Sequence, residues 1–126
     1  MCVALVLTDM ILCMSSNQET PSESGVLLRN AGYESFLCVD AADALRFLSY
    51  RKVELIISDD SLGTDVGQTV LKKARSFYPR IPIVCWTESD KPSQKILDLD
   101  PDVTLARSEG DEALLKIISI LTGDLT

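Results

Sequence analysis

The feature that most constrains the fold is an alternation of short apolar runs with amphipathic stretches, repeated five times along the chain. Short apolar runs bounded by polar residues are typical of buried strands, and amphipathic stretches joined to them by short linkers are typical of helices. An alternation of this kind builds parallel βαβ units. The sequence therefore predicts an α/β domain with a five-stranded parallel sheet, doubly wound in a (βα)5 arrangement.

The predicted strands cover residues 11–14, 33–39, 53–57, 81–86 and 103–106. The third is almost entirely apolar, so we expect it at the centre of the sheet with helices on both faces. All 126 residues are expected to form a single domain, with residues 1–10 as an N-terminal extension or as the start of strand one. In a minor alternative, residues 3–8 form strand one and Asp9 ends it, which requires an inserted loop before Gly32.

Helix boundaries are predicted from capping residues. Thr20-Pro21-Ser22-Glu23 predicts the start of the first helix and Gly32 its end. Ser108, with Asp111 three positions later, is expected to cap the last helix. Residues 91–97 have few apolar positions and predict only a short, mobile fourth helix.

The third helix is predicted over residues 66–77, with Val70, Leu71, Ala74 and Phe77 on its apolar face. Three cations of the same helix are expected on a solvated face. These are Lys72, Lys73 and Arg75.

Charge and histidine content exclude several classes of function. The chain has 12 Lys+Arg and 19 Asp+Glu, a formal charge of −7, and an acidic surface disfavours direct binding to nucleic acid or to anionic membranes. With no histidine, Ser-His-Asp, Cys-His and His-based zinc chemistry are excluded. We therefore do not expect an enzyme that acts on external substrates.

Cysteine placement and the N-terminus indicate a cytoplasmic protein. Cys2, Cys13, Cys38 and Cys85 form no CxxC pair and lie in or beside apolar runs, as reduced core cysteines do. The apolar N-terminal stretch has no basic residue before Arg29 and is too short to cross a bilayer. We expect neither a signal peptide nor a membrane span.

Polar residues follow the predicted strands where each one ends. Ser15 and Ser16 follow strand one, Asp59 follows strand three, Thr87 strand four and Arg107 strand five. Ligand sites in an open parallel sheet lie beyond the carboxyl ends of its strands. A carboxylate, a hydroxyl and a cation at one edge can bind a phosphoryl group, with Asp59 as nucleophile or ligand, Thr87 as hydrogen-bond donor and Arg107 as the charge.

Two segments carry a resemblance to a known family. Glu54-Leu55-Ile56-Ile57-Ser58-Asp59, with Gly67 eight positions after the aspartate, and Ile83-Val84-Cys85-Trp86-Thr87 resemble the receiver domains of two-component response regulators. The likeness runs from about residue 11 to residue 121. It implies the flavodoxin-like receiver fold and a role in phosphorelay signal transduction.

The resemblance also implies roles for individual residues. Asp59 takes the place of the phosphoacceptor, and Thr87 that of the switch hydroxyl that follows the phosphoryl group. Arg107 takes the place of a lysine that receivers carry after strand five. Asp59, together with the backbone carbonyl of Ser61, would contact Mg²⁺.

This chain departs from the family pattern around the metal. Receivers end strand one with an acidic pair that holds Mg²⁺, and Ser15 and Ser16 stand in those places, which weakens the predicted site. The planar guanidinium of Arg107 can pair bidentately with Asp59 and take the place of the metal. Glu88 follows Thr87 where a small residue is usual and adds negative charge at the mouth of the site.

The departures predict an atypical receiver domain, a regulatory protein-interaction module that can act without phosphorylation. Its surface around residues 91–97, strand five and the last helix would contact an output domain, another partner protein or a second copy of the chain. The alternative is a conventional phosphoacceptor phosphorylated on Asp59 by a sensor histidine kinase, with Mg²⁺ recruited through Asp59, Glu19 or Glu88. A flavodoxin-like cofactor binder is a weaker third hypothesis, because the chain has no GxGxxG or P-loop motif.

Overall fold

The computed structural model describes residues 10–14, 23–38, 41–50, 52–59, 65–88, 91, 94, 97 and 100–123. The strands are β1 (Met10–Met14), β2 (Ser35–Cys38), β3 (Val53–Asp59), β4 (Ile83–Thr87) and β5 (Val103–Ala106). The helices are α1 (Glu23–Asn30), α2 (Ala41–Tyr50), α3 (Asp65–Phe77) and α4 (Asp111–Thr122), with a 3-10 turn at Arg107–Glu109. The strands form one parallel sheet in the order β2-β1-β3-β4-β5, which confirms the predicted fold class.

The first strand decides between the two sequence registers. β1 pairs with both β2 and β3, and each of its five residues is buried. Residues 10–14 therefore take the place that the minor alternative gave to residues 3–8, and that alternative is wrong. Residues 1–9 lie outside the described residues, and Met10 belongs to β1.

Helices cover both faces of the sheet, as predicted for β3. Alternate residues of a strand point to opposite faces. On one face, strand residues such as Leu12 and Ile56 pack with residues of α2 and α3, and on the other face Ile11 and Leu55 pack with residues of α1 and α4. Apolar side chains thus fill both faces, which leaves the ends of the strands as the places where polar groups gather.

The end of α1 follows the sequence prediction. Gly32 has a φ of +91°, the Gly32 N–H donates to the Arg29 carbonyl, and the Tyr33 N–H donates to the Leu28 carbonyl. These two hydrogen bonds form a Schellman motif, which satisfies the last carbonyls of the helix and turns the chain towards β2. Residues 20–22, the predicted start signal, lie outside the described residues.

The start of α4 differs from the prediction. Ser108 lies inside the 3-10 turn, which the Gly110 N–H closes by donating to the Arg107 carbonyl. Gly110, with a φ of +94°, is the residue before α4, and the helix has no side-chain cap. The predicted Ser108 cap is therefore wrong, because the turn occupies the residues between Ser108 and Asp111.

The surface of α3 is less uniform than its sequence suggested. Lys72 and Lys73 are exposed, as predicted. Phe77 was expected on the apolar face but is 45% exposed, and the Lys73 Nζ lies 5.5 Å from its ring centroid. A cation over an exposed aromatic ring is a weak but favourable arrangement at the surface.

Arg75 is half-buried and makes contacts beyond its own helix that the sequence did not predict. Its Nη2 donates to the Asp100 carbonyl at 2.6 Å and lies 3.8 Å from Asp102 Oδ2, while its Nη1 lies 3.5 Å from Asp100 Oδ2. Asp102 Oδ2 also accepts the Ile83 N–H at 2.7 Å. We call Arg75, Asp100 and Asp102 the Arg75 clasp, because it ties α3 to the amino ends of β4 and β5.

Of the predicted fourth helix, the structure describes Lys91, Gln94 and Leu97, and the last two are helical. The prediction of a short, mobile helix at residues 91–97 therefore stays a prediction. Within the described ranges, none of the helices is both long and apolar enough to span a bilayer.

Candidate functional site

The register of the sheet brings three strand ends to one edge. Asp59, the last residue of β3, pairs with Trp86 in β4, and the next residue, Thr87, pairs with Ala106 at the end of β5. Arg107 follows Ala106 directly. The backbones of Asp59, Thr87 and Arg107 therefore lie at the carboxyl edge, where parallel sheets bind ligands.

Thr87 is buried at this edge. Its exposed fraction is 2%, and Ser58 on the neighbouring strand is buried as well. Buried hydroxyl groups are retained where they have hydrogen-bond partners, because an unsatisfied one costs free energy. β4 lies between β3 and β5, so the Thr87 hydroxyl is held by the packing of a central strand rather than by a surface loop.

Arg107 contacts an aromatic ring and a carboxylate. Its Cζ lies 4.8 Å from the centroid of the Trp86 ring, and its Nε lies 3.5 Å from Glu88 Oε1. A planar guanidinium stacks on an aromatic face through both dispersion and the ring quadrupole. The Arg107 side chain is 31% exposed, so it lies at the border between the core and solvent.

Trp86 is a site residue that the sequence alone does not indicate. Trp86 pairs with Leu105 in β5, and Arg107 begins the turn directly after β5, from which its guanidinium reaches the Trp86 ring. This contact can be inferred only once the register between β4 and β5 is known. Among the described residues no atom accepts a hydrogen bond from the buried Trp86 Nε1, so the ring is oriented by packing.

Several predicted site residues lie outside the described residues. These are Ser15, Ser16, Ser61 and the side chain of Asp59. The proposed pair between Arg107 and Asp59 therefore stays a prediction. Glu88 was noted from the sequence as a negative charge at the mouth of the site, and the structure shows the cation that it contacts.

The described residues offer no cluster of metal ligands. Within the described residues, no group of three or more His, Cys, Asp or Glu side chains is arranged to hold a metal ion. The two residues after β1 are Ser15 and Ser16, whose neutral hydroxyls are weaker ligands for Mg²⁺ than the carboxylates that it prefers. The Glu88 carboxylate contacts Arg107.

The sequence matches no family model and no curated protein. Solved structures, by contrast, match nearly the whole chain. A CheY-like response regulator receiver domain protein from Methanospirillum hungatei superposes with a TM-score of 0.74 at 19% identity, covering 92% of this chain and 94% of that one. The chemotaxis protein CheY4 of Vibrio cholerae gives a TM-score of 0.74 at 24% identity, covering 90% of this chain and 98% of that one.

A third match carries a metal. The receiver domain of the sensor histidine kinase PA1611 from Pseudomonas aeruginosa, with a magnesium ion coordinated in its active-site cleft, superposes with a TM-score of 0.76 at 22% identity. The superposition covers 91% of this chain and 98% of that domain. The chain thus has the fold of CheY-like receiver domains, which confirms the fold that the sequence resemblance implied.

Proposed function

We propose that this chain is an atypical receiver domain of two-component signalling that acts as a regulatory protein-interaction module. The observation that carries the proposal is the carboxyl edge of the sheet, where the register of a receiver fold brings together the strand ends with Asp59, Thr87 and Arg107. Asp59 takes the place of the phosphoacceptor, Thr87 that of the switch hydroxyl, and Arg107 that of the cation that contacts a phosphoryl group. The domain does not turn over an external substrate.

The chemistry of this edge is weaker than in a conventional receiver. Phosphorylation joins an Asp59 carboxylate oxygen to phosphorus and releases the leaving group of the phosphoryl donor. A divalent cation assists such a transfer by neutralising oxygen charge. With Ser15 and Ser16 after β1, Mg²⁺ binding is weak, so the phosphoryl transfer is slow.

The partner is a protein. We propose a sensor histidine kinase, an output domain or a second copy of the chain, because these are the partners that the receiver fold implies. Direct contact with nucleic acid or a membrane surface is disfavoured by the formal charge of −7. Three cysteines, Cys13, Cys38 and Cys85, are buried among apolar residues, as reduced core cysteines are, and we propose the cytoplasm.

The second candidate is a conventional phosphoacceptor switched by a sensor histidine kinase. It is favoured by the position of Asp59 at the end of the central strand β3, beside the strand that carries Thr87. In that case the site recruits Mg²⁺ despite its serines. The two candidates differ in whether Asp59 accepts a phosphoryl group at a useful rate.

Intact-mass measurement separates the two candidates. The chain is incubated with acetyl phosphate and Mg²⁺, with Asp59→Asn as the matched control. We expect no phosphoryl adduct on the folded protein over a long incubation. An adduct that forms on the wild-type chain and is absent from Asp59→Asn would replace the atypical module with the conventional switch.

The affinity for a partner protein, once one has been identified, provides a second test of the proposal. For an interaction that does not depend on phosphorylation, Asp59→Ala leaves the affinity unchanged. A loss of affinity in Asp59→Ala would contradict the proposal and support the conventional switch.

A further inference from the structure

The contacts of Arg107 lie beside the edge where the proposed phosphoacceptor stands. The guanidinium rests on the Trp86 ring at 4.8 Å from its centroid, and its Nε lies 3.5 Å from Glu88 Oε1. On the adjacent strand, Asp59 is the register partner of Trp86. The cation assigned to a phosphoryl group therefore rests on the ring of the residue that pairs with the phosphoacceptor, while its own backbone follows β5, two strands away from β3.

Glu88 and a phosphoryl group are both anions that the Arg107 guanidinium attracts. A guanidinium presents its N–H groups as a rigid planar fork that fits the oxygens of a carboxylate or of a phosphate. The Glu88 carboxylate lies 3.5 Å from Arg107 Nε, and this nitrogen makes no hydrogen bond among the described residues. An anion that arrives at the carboxyl edge must therefore compete with Glu88 for this cation.

The Glu88 contact is loose, whereas the Trp86 contact is firm. A separation of 3.5 Å is longer than an ordinary N–H···O hydrogen bond, and the Glu88 side chain is 74% exposed. Exposed ion pairs of this kind contribute little and exchange readily. Trp86 is only 4% exposed, so its ring is a fixed platform that keeps the guanidinium near the edge when Glu88 moves away.

We infer that Glu88, Arg107 and Trp86 form an autoinhibitory latch, in which Glu88 occupies Arg107 on the Trp86 ring until a phosphate-type anion displaces it. The latch deepens the proposed function and rests on it, because it regulates the cation of the same edge. Glu88 is a positioning residue, since it acts on the anion only through Arg107. The ligand is a phosphate-type group, either a phosphoryl group on Asp59 or free phosphate.

Trp86 is the only tryptophan of the chain, so its emission reports directly on the latch. The full chain is titrated with inorganic phosphate, against sodium chloride at matched ionic strength. We expect a change of emission with phosphate beyond that with chloride. Glu88→Gln is expected to reach the midpoint at about a two- to fivefold lower phosphate concentration, the range that an exposed ion pair supplies. Arg107→Gln is expected to abolish the response.

Glu109→Gln is the matched control. It removes one negative charge from an exposed side chain two residues after Arg107, and among the described residues the ion pair shown for Arg107 is with Glu88, not with Glu109. Its midpoint is expected to equal that of the wild-type chain. Equal midpoints for Glu88→Gln and Glu109→Gln would overturn the latch, because only net charge would then matter.

Two further results would also overturn it: a wild-type emission that phosphate does not change, or a response that survives in Arg107→Gln. Both substituted carboxylates are exposed, so cooperative urea unfolding close to wild type is expected and verifies that each variant is folded. Repeating the titration with acetyl phosphate and Mg²⁺ on the wild-type chain and on Asp59→Asn separates the two sources of anion. A response lost in Asp59→Asn belongs to a covalent phosphoryl group, and a response retained there belongs to a free one.

The latch and the proposed function can fail separately. The phosphate titration needs neither a phosphoryl donor nor Mg²⁺, and its readout is emission at Trp86. The adduct measurement reads mass at Asp59. A conventional switch with a working latch would give both a mass adduct at Asp59 and a phosphate-dependent emission. An atypical module without a latch would give neither.

Discussion

Gly32 has a backbone conformation that residues with side chains rarely adopt. Its φ is +91°, yet a Cβ built on it meets nothing within 4 Å. The cost of a side chain at this position is therefore backbone strain alone, about 1–2 kcal/mol for an ordinary L-residue. Gly32→Ala is expected to lower the free energy of urea unfolding by that amount.

Gly32→Asn is the control for this prediction. Asparagine visits the left-handed region more readily than alanine because its side chain can hydrogen-bond locally. We expect Gly32→Asn to lose less stability than Gly32→Ala. Equal stability of the wild-type chain and Gly32→Ala would contradict the role of the Schellman motif at the end of α1.

Between elements, the Arg75 clasp fixes the segment that leads into β5. Asp100 has a φ of +53°, and its N–H donates to the Leu97 carbonyl at 3.0 Å. Arg75 holds this turn through the Asp100 carbonyl and two carboxylates. Arg75→Met is expected to lower stability by about 1 kcal/mol, because the contacts are partly solvent-exposed.

Hydrogen exchange of single amides tests which part of the structure Arg75→Met destabilises. Arg75→Met should speed exchange of the Asp100 amide, and Asp102→Ala should speed exchange of the Ile83 amide, which donates to the Asp102 carboxylate. Arg80→Met is the matched control, since Arg80 is exposed and the structure shows no ion pair for it within the described residues. Similar exchange in Arg75→Met and Arg80→Met would show that the clasp does not hold the turn.

At the scale of the whole molecule, the two cores protect the cysteines. Cys13 packs in the core with α1 and α4, while Cys38 and Cys85 pack in the core with α2 and α3. In a Cys2→Ser variant, we expect none of these thiols to react rapidly with a disulfide reagent in the native state. All of them should react after unfolding in denaturant, because burial both shields a thiol and disfavours its thiolate.

A positive control comes from the exposed surface of α3. Ser76 is exposed, so adding Ser76→Cys to the Cys2→Ser variant should introduce one thiol that reacts at once. Rapid native reaction of Cys13, Cys38 or Cys85 in Cys2→Ser alone would show that a core opens easily. It would also show that β1 is not shielded from solvent on both faces of the sheet.

At the carboxyl edge, the sequence predicts the positions of the site residues but not their contacts. Asp59, Thr87 and Arg107 were placed at strand ends by local patterns, since the ends of apolar runs are visible along the chain. Their chemical roles stay predictions. The Trp86 platform was not foreseen, because its contact with Arg107 depends on how β4 pairs with β5.

The sequence by itself determined the five strands, the central position of β3, the end of α1 at Gly32 and the burial of three cysteines. These properties follow from periodicity, apolar content and backbone preference, all of which act between near neighbours. Only the tertiary structure decided the Arg75 clasp, the exposure of Phe77 and the contacts of Arg107. The physical reason is distance along the chain, since Arg75 and Asp100 are 25 residues apart and meet only because the sheet brings their elements together.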